Sequence, residues 1–139
     1  MKNIMKNIMK NEILYIGGFR LPDSNAAAHR VLVVGKILAR LGYSVNYLGV
    51  DIRTSKMLDV VKTKKNYVGF RQFAIGYPRN IFDWFIYLTR ICYIESTIKN
   101  IGEEKIAALI VYNFPAIALL RLKRMCNRKN IVIIGDCTE

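Results

Sequence analysis

Three short, uninterrupted apolar runs at residues 13–16, 106–112 and 131–134 constrain this chain more than any other feature. The first stops at Gly17-Gly18 and the last at Gly135-Asp136. A strand that is apolar at every position has to be covered on both faces, which is the situation of a parallel strand between layers of helices. The segments between the runs carry helical periodicity instead, so strand and helix alternate along the chain. That alternation predicts an α/β fold, a parallel sheet with helices on both faces.

The segments between and around these runs supply the other elements. Residues 26–41 place Val31, Val34, Leu38 and Leu41 at helical spacing toward the core, with Lys36 and Arg40 toward solvent and Gly42 as the left-handed cap. Residues 44–49 alternate apolar with polar and complete a βαβ unit. A third strand is predicted over residues 67–75, with Val68, Phe70 and Phe73 inward, ending at Gly76-Tyr77-Pro78. One long helix is predicted from Asn80 to Gly102, its stripe formed by Ile81, Trp84, Phe85, Leu88, Ile91, Cys92, Glu95 and Ile98. Pro115 suits the first turn of a helix reaching Asn127, with Ile117, Leu120 and Met125 on its apolar face.

Composition narrows the partners. With 139 residues the chain has the size of one domain, and 22 Lys and Arg against 10 Asp and Glu leave a formal charge of +12. A field of that sign draws phosphates, whether on nucleotides, nucleic acids or lipid headgroups. No nucleic-acid recognition motif accompanies the charge, so no nucleic acid is expected as partner. Cys92, Cys126 and Cys137 are odd in number and widely spaced, which argues against a zinc site and for a reducing cytoplasm. No metal is expected. Residues 1–11 repeat Met-Lys-Asn and read as a polar, disordered leader without the apolar stretch of a signal peptide, and residues 12–139 as one partial domain. The longest apolar stretch, residues 81–94, is broken by Asp83, Thr89 and Arg90 and falls short of the roughly 20 residues a span needs.

In an open parallel sheet the ligand crevice lies outside the carboxyl ends of the strands, where residues 17–25, 49–53, 112–115 and 135–139 converge. Gly17 and Gly18 let a ligand approach the backbone, ahead of a helix N-terminus that favours anions; a glycine needed only for the turn is the plainer alternative. The loop lacks G-x-G-x-x-G, which argues against a dinucleotide although Asp51 just beyond Gly49 leaves that reading open, and the chain lacks a P-loop, which excludes an NTPase of that class. His29 is either a structural hydrogen-bonder or a catalyst at the mouth, and Arg30 either a solvated cation or a phosphate or hydroxyl contact. Asp136 and Glu139 either bind sugar hydroxyls, with acid–base work if burial raises a pKa, or cap a following helix. Arg121, Arg124 and Arg128 recur at helical spacing beside Lys123 and Lys129, forming either a solvated basic face or one that lies against anionic lipid.

The segment from Pro22 to Leu32, followed by Lys36, Leu38 and Leu41-Gly42-Tyr43-x-Val45, resembles the opening βαβ unit of retaining glycosyltransferases of family four, which have the GT-B fold. The segments from Val111 to Ala116 and from Ile134 to Glu139 resemble two later strand ends of members that build polysaccharides. The resemblance covers residues 13–139. It implies a Rossmann-like N-terminal, acceptor-side domain that works with a second, C-terminal domain holding the nucleotide-sugar, and transfer of a sugar to a polysaccharide or lipid-linked acceptor. The paired-glutamate donor motif of that second domain has no counterpart here, so the chain reads as truncated and inactive alone. By match, Gly17 and Gly18 approach the donor phosphates. Asn25, His29, Arg30, Asn113, Asp136 and Glu139 belong to the acceptor side, with Asp136 and His29 as catalytic candidates. The sequence departs from many relatives in lacking a histidine after the last strand.

The expectation is therefore a glycosyltransferase half that uses a nucleotide-sugar as co-substrate and no cofactor, cytoplasmic and peripheral at the inner face of the plasma membrane. The alternative is a non-enzymatic basic α/β module that binds a membrane surface or a partner protein. A second Rossmann pattern of some 200 residues encoded beyond Glu139 distinguishes the first from the second.

Overall fold

A computed structural model describes residues 9–22, 25–54, 60–62 and 70–138. Five parallel strands form the sheet: β1 (Glu12–Gly17), β2 (Ser44–Asp51), β4 (Arg71–Gly76), β5 (Ile106–Tyr112) and β6 (Val132–Asp136). A two-residue strand, β3 (Val61–Lys62), runs antiparallel along the edge of β4. Across the sheet the order is β3-β4-β2-β1-β5-β6, so the parallel strands follow the 3-2-1-4-5 order of a Rossmann-like fold, and the α/β class is the one that the alternation of apolar runs and helices predicts.

Helix α1 (Ala26–Arg40) covers one face of the sheet. Its start is set by Asn25, whose side-chain oxygen accepts the Ala28 N–H at 2.9 Å, and its end by Gly42 at φ 93°. Val31 and Leu32 pack there against Tyr15, Tyr47 and Phe70. The opposite face is covered by α3 (Cys92–Ile101) and α4 (Ala116–Lys129), through Ile94, Ile98, Leu122 and Met125 against Leu14, Ile16, Leu48 and Leu109. Among the described residues the remaining α-helix is α2 (Ile81–Thr89), which leans on α4.

Several local expectations are corrected. Leu41 is 69% exposed, because the chain has left the helix by that residue and turns away from the sheet. Strand β2 is buried throughout its middle instead of alternating. Its Asn46 is tolerated there because it donates to the Glu12 carboxylate at 2.8 Å, which Arg71 also grips at 2.7 Å. Burial would raise the Glu12 pKa, but hydrogen bonds from Asn46 and Ser44 together with the Arg71 cation hold it below the usual value. Residues 67–69 of the expected third strand, Val68 among them, lie outside the described residues. Phe70 and Phe73 are both buried but belong to opposite faces.

The single helix expected over residues 80–102 is two. Arg90 is extended, at φ −95° and ψ 149°, and the break is held from outside the segment by Arg121, whose Nη1 donates to the Thr89 carbonyl at 2.6 Å. The stripe expected to run through both halves is divided as well. Tyr93, Ile94, Thr97, Ile98 and Ile101 are the buried side of α3, whereas Ile81, Phe85 and Leu88 of α2 stand in solvent. On α4 the buried residues are Ala118, Leu122, Met125 and Cys126, while Ile117 and Leu120 are exposed. Strand β6 is not apolar-covered on both sides, since Val132 and Ile134 are 60% and 46% exposed at the sheet edge.

Candidate functional site

Strand order reverses between β1 and β5, from which the chain builds outward in both directions, and a crevice opens at the carboxyl ends of such a pair. Four segments meet there: the turn after β1, the start of α1, Asn113 after β5, and Asp136 to Thr138 at the end of β6. Asp136 is the centre. Its Oδ1 accepts from Arg30 Nη2 at 2.7 Å, and its Oδ2 accepts the Tyr15 hydroxyl. The Asp136 side chain is 13% exposed and that of Arg30 48% exposed, so the carboxylate lies at the floor and the guanidinium at the mouth.

The electrostatics follow from that geometry. The hydrogen bond from Arg30 outweighs the effect of burial and, with the one from Tyr15 and the Arg30 charge, holds the Asp136 carboxyl below the ordinary carboxylate range. The acid–base role that a raised pKa would have favoured therefore lacks its premise, and at neutral pH Asp136 is an ionised acceptor. Burial, and next the bond to Asp136, push the Tyr15 phenol above its usual value, so it stays a donor.

Asn113 occupies the left-handed region at φ 42°, where asparagine is among the few side-chain-bearing residues that settle readily. From that position it grips the β6 loop three times. Its N–H donates to the Asp136 carbonyl at 3.1 Å, its Nδ2 to Thr138 Oγ1 at 2.9 Å, and its Oδ1 accepts the Thr138 N–H at 2.9 Å. Tyr112 adds a hydroxyl contact to Thr138 at 3.2 Å.

The two glycines differ. A Cβ at Gly17 would stand 2.9 Å from Tyr112 Cβ, so this residue lets β1 and β5 approach. At Gly18 the nearest atom would be the Tyr87 hydroxyl at 3.5 Å, which leaves the residue open to the crevice. Neither has a left-handed backbone; among the described residues the glycines with positive φ are Gly42 and Gly102. Beyond them Phe19 is fully buried and its carbonyl accepts the Val50 N–H at 3.0 Å, which folds the loop back over β2.

Of the residues singled out from sequence, Gly18, Arg30, Asn113 and Asp136 share this crevice. Asn25 is engaged as the α1 cap, and His29 lies exposed on the first turn of α1 beside Arg30. The first-turn N–H groups of Ala26 and Ala27 have no partner within the helix, and they face the same end of the sheet. Glu139, with Asp23 and Ser24 of the strand-one loop, lies outside the described residues. Arg121, Arg124 and Arg128 stand apart from the crevice, on α4, where the Arg121 guanidinium is engaged by the Thr89 carbonyl. Among the described residues no group of His, Cys, Asp and Glu could hold a metal ion, and no helix is long and apolar enough to cross a membrane.

Sequence reasoning missed Tyr15 and Thr138. Tyr15 was legible in principle, because a tyrosine inside an otherwise aliphatic buried run needs a partner for its hydroxyl. A cavity of about 420 Å³ lies at the opposite end of the strands, lined by Lys36, Arg40, Tyr43 and Phe70. None of the crevice residues lines it.

The arrangement offers a fixed carboxylate acceptor, a half-exposed guanidinium, an exposed Gly18, and backbone N–H groups at the α1 start. That set suits an anion or a polyhydroxylated ligand, with donors for phosphate and an acceptor for hydroxyls. No protein-family model, curated protein or solved structure matches the chain.

Proposed function

We propose that the chain is the acceptor-side domain of a glycosyltransferase that moves a sugar from a nucleotide-sugar to a polysaccharide or glycolipid acceptor. The observation that carries the reading is the Tyr15–Asp136–Arg30 cluster at the mouth between β1 and β5, braced by Asn113 and Thr138. The likeness of residues 22–45 to the opening unit of family-four enzymes supports it, because that unit frames the same mouth. In this reading Asp136 accepts acceptor hydroxyls and Arg30 answers a phosphate. Gly18 leaves room for the donor at the cleft shared with a second domain. His29, at the rim, is the remaining candidate for a proton-carrying group.

The test is residue-resolved titration of the isotope-labelled chain with saccharide acceptors and with nucleotide-sugars, alongside a turnover assay. Acceptor-induced shifts at Gly18, Arg30, Asn113 and Thr138, lost in Asp136→Asn, are the expected result, with no turnover by the chain alone. Shifts that bypass the crevice for every saccharide would overturn the assignment. Turnover by this chain alone would overturn the need for a second domain.

A further inference from the structure

Among the described α-helices, α2 is the least covered. Of its nine residues only Thr89 is buried, while Ile81, Phe82, Phe85 and Leu88 are 90%, 71%, 63% and 42% exposed. Their spacing of one, three and three residues puts them on one side of the helix. On α4, which α2 touches, Ile117 and Leu120 are exposed as well, by 55% and 60%. An apolar surface of this kind on a water-facing helix marks an interaction site.

The surroundings say with what. Arg79 and Arg90 bracket α2, and α4 carries Lys123, Arg124 and Arg128. Between α3 and α4 a pocket of about 330 Å³ is lined by Arg121, Arg124, Arg128 and Lys129, with Glu95 as its acid. Asp83 is the single acid on α2, and its carboxylate already accepts the Arg79 N–H at 3.1 Å. A second copy of the chain would bring the same cations, on a molecule of formal charge +12, against one another. A bilayer containing anionic lipid presents an apolar layer beneath a negatively charged surface, which complements both features.

We propose that the exposed face of α2 inserts into the interfacial layer of an anionic membrane, with the arginine-lined pocket between α3 and α4 receiving a lipid phosphate. The helix is about 13 Å long at 1.5 Å per residue, too short to span, and lies in the membrane plane. Tyr87 of α2 approaches Gly18, so docking sets the crevice beside the lipid surface. The inference does not depend on sugar transfer, and its test uses no sugar.

Trp84, the one tryptophan of the sequence, lies on α2 and is 40% exposed, which makes it a built-in reporter. The 139-residue chain is mixed with vesicles of phosphatidylcholine, with or without phosphatidylglycerol, at about 0.05 M and about 0.5 M salt, a range over which the screening length shortens severalfold. The expected result is co-sedimentation with phosphatidylglycerol vesicles and a blue-shifted Trp84 emission at low salt, weakened at least about tenfold at high salt. Phe82→Ser/Phe85→Ser should abolish the blue shift and weaken binding at least about tenfold, with circular dichroism and Tm unchanged because both side chains stand in solvent. Arg124→Gln/Arg128→Gln should weaken binding to phosphatidylglycerol vesicles alone. Absence of binding at low salt overturns the proposal. So does wild-type binding by Phe82→Ser/Phe85→Ser, or a lipid-independent dimer that this variant dissolves, which would make the occupant a second copy.

Discussion

A methyl group added at Gly17 would meet Tyr112 Cβ at 2.9 Å and the Tyr112 carbonyl oxygen at 3.0 Å, whereas one added at Gly18 would meet only a hydroxyl at 3.5 Å. The first obstacle is sheet backbone that cannot swing away. Gly17→Ala is therefore expected to destabilise by roughly 1–3 kcal/mol, as overpacking does, and Gly18→Ala to stay within about 0.5 kcal/mol, both read from chemical denaturation. Equal losses would show that the two glycines share one role. Because Gly18 carries no left-handed strain, the same substitution tests the proposed approach of a donor without a folding penalty. At Asp136 the sign of the pH effect follows from its lowered pKa, caused first by the Arg30 hydrogen bond. A carboxyl whose folded value lies below its unfolded one stabilises the fold above the ordinary carboxyl range near 4, and that contribution is lost as pH falls through the folded value. The Tm difference between the native chain and Asp136→Asn should accordingly hold from pH 7 to about 5 and close below about pH 4. A gap that stays constant into acid would mean the charge is irrelevant.

Among the elements, the break between α2 and α3 depends on a residue from neither. Arg121 satisfies the carbonyl that Thr89 presents at the helix end, while the Thr89 hydroxyl donates back to the Phe85 carbonyl at 2.7 Å. Arg121→Gln should cost about 1 kcal/mol, the net worth of a typical hydrogen bond, and hydrogen exchange should quicken in α2 before it does in α3. Uniform quickening across the chain would refute this division. The contrast with Leu122→Ala is large, since truncating a fully buried leucine costs about 2–5 kcal/mol and lowers protection everywhere. This junction also shows where sequence stops being informative. The run at residues 106–112 was legible to the residue because every position is apolar and nothing distant alters it. Residues 80–102 carry just as much apolar content, and periodicity alone assigns it to the core. Only the partner at Arg121, far along the chain, reveals the break and the outward turn of the first half. The crevice was legible as a set of loops, through Gly18, Arg30, Asn113 and Asp136. The pairing of Tyr15 with Asp136, which are 121 residues apart, has no local signature at all.

At the scale of the whole molecule, β6 is an edge of the described sheet. Among the described residues β6 pairs with β5 alone and leaves Val132 and Ile134 exposed, so its outer edge and apolar side chains could receive another strand. Ile134→Lys should raise the concentration at which the protein stays monomeric in light scattering, with little change in Tm, because the side chain is 46% exposed. Unaltered scattering would show that this edge does not mediate self-association. The crevice has a further property that concerns time. Asp136 finds its partners 121 and 106 residues earlier in the chain, and β1 waits for β5 while β2, β4, α2 and α3 are made. On a ribosome adding about 5–20 residues per second, β1 therefore spends several seconds with one edge unpaired. Translation leaves that edge, rather than the finished surface, as the stretch a chaperone would meet first.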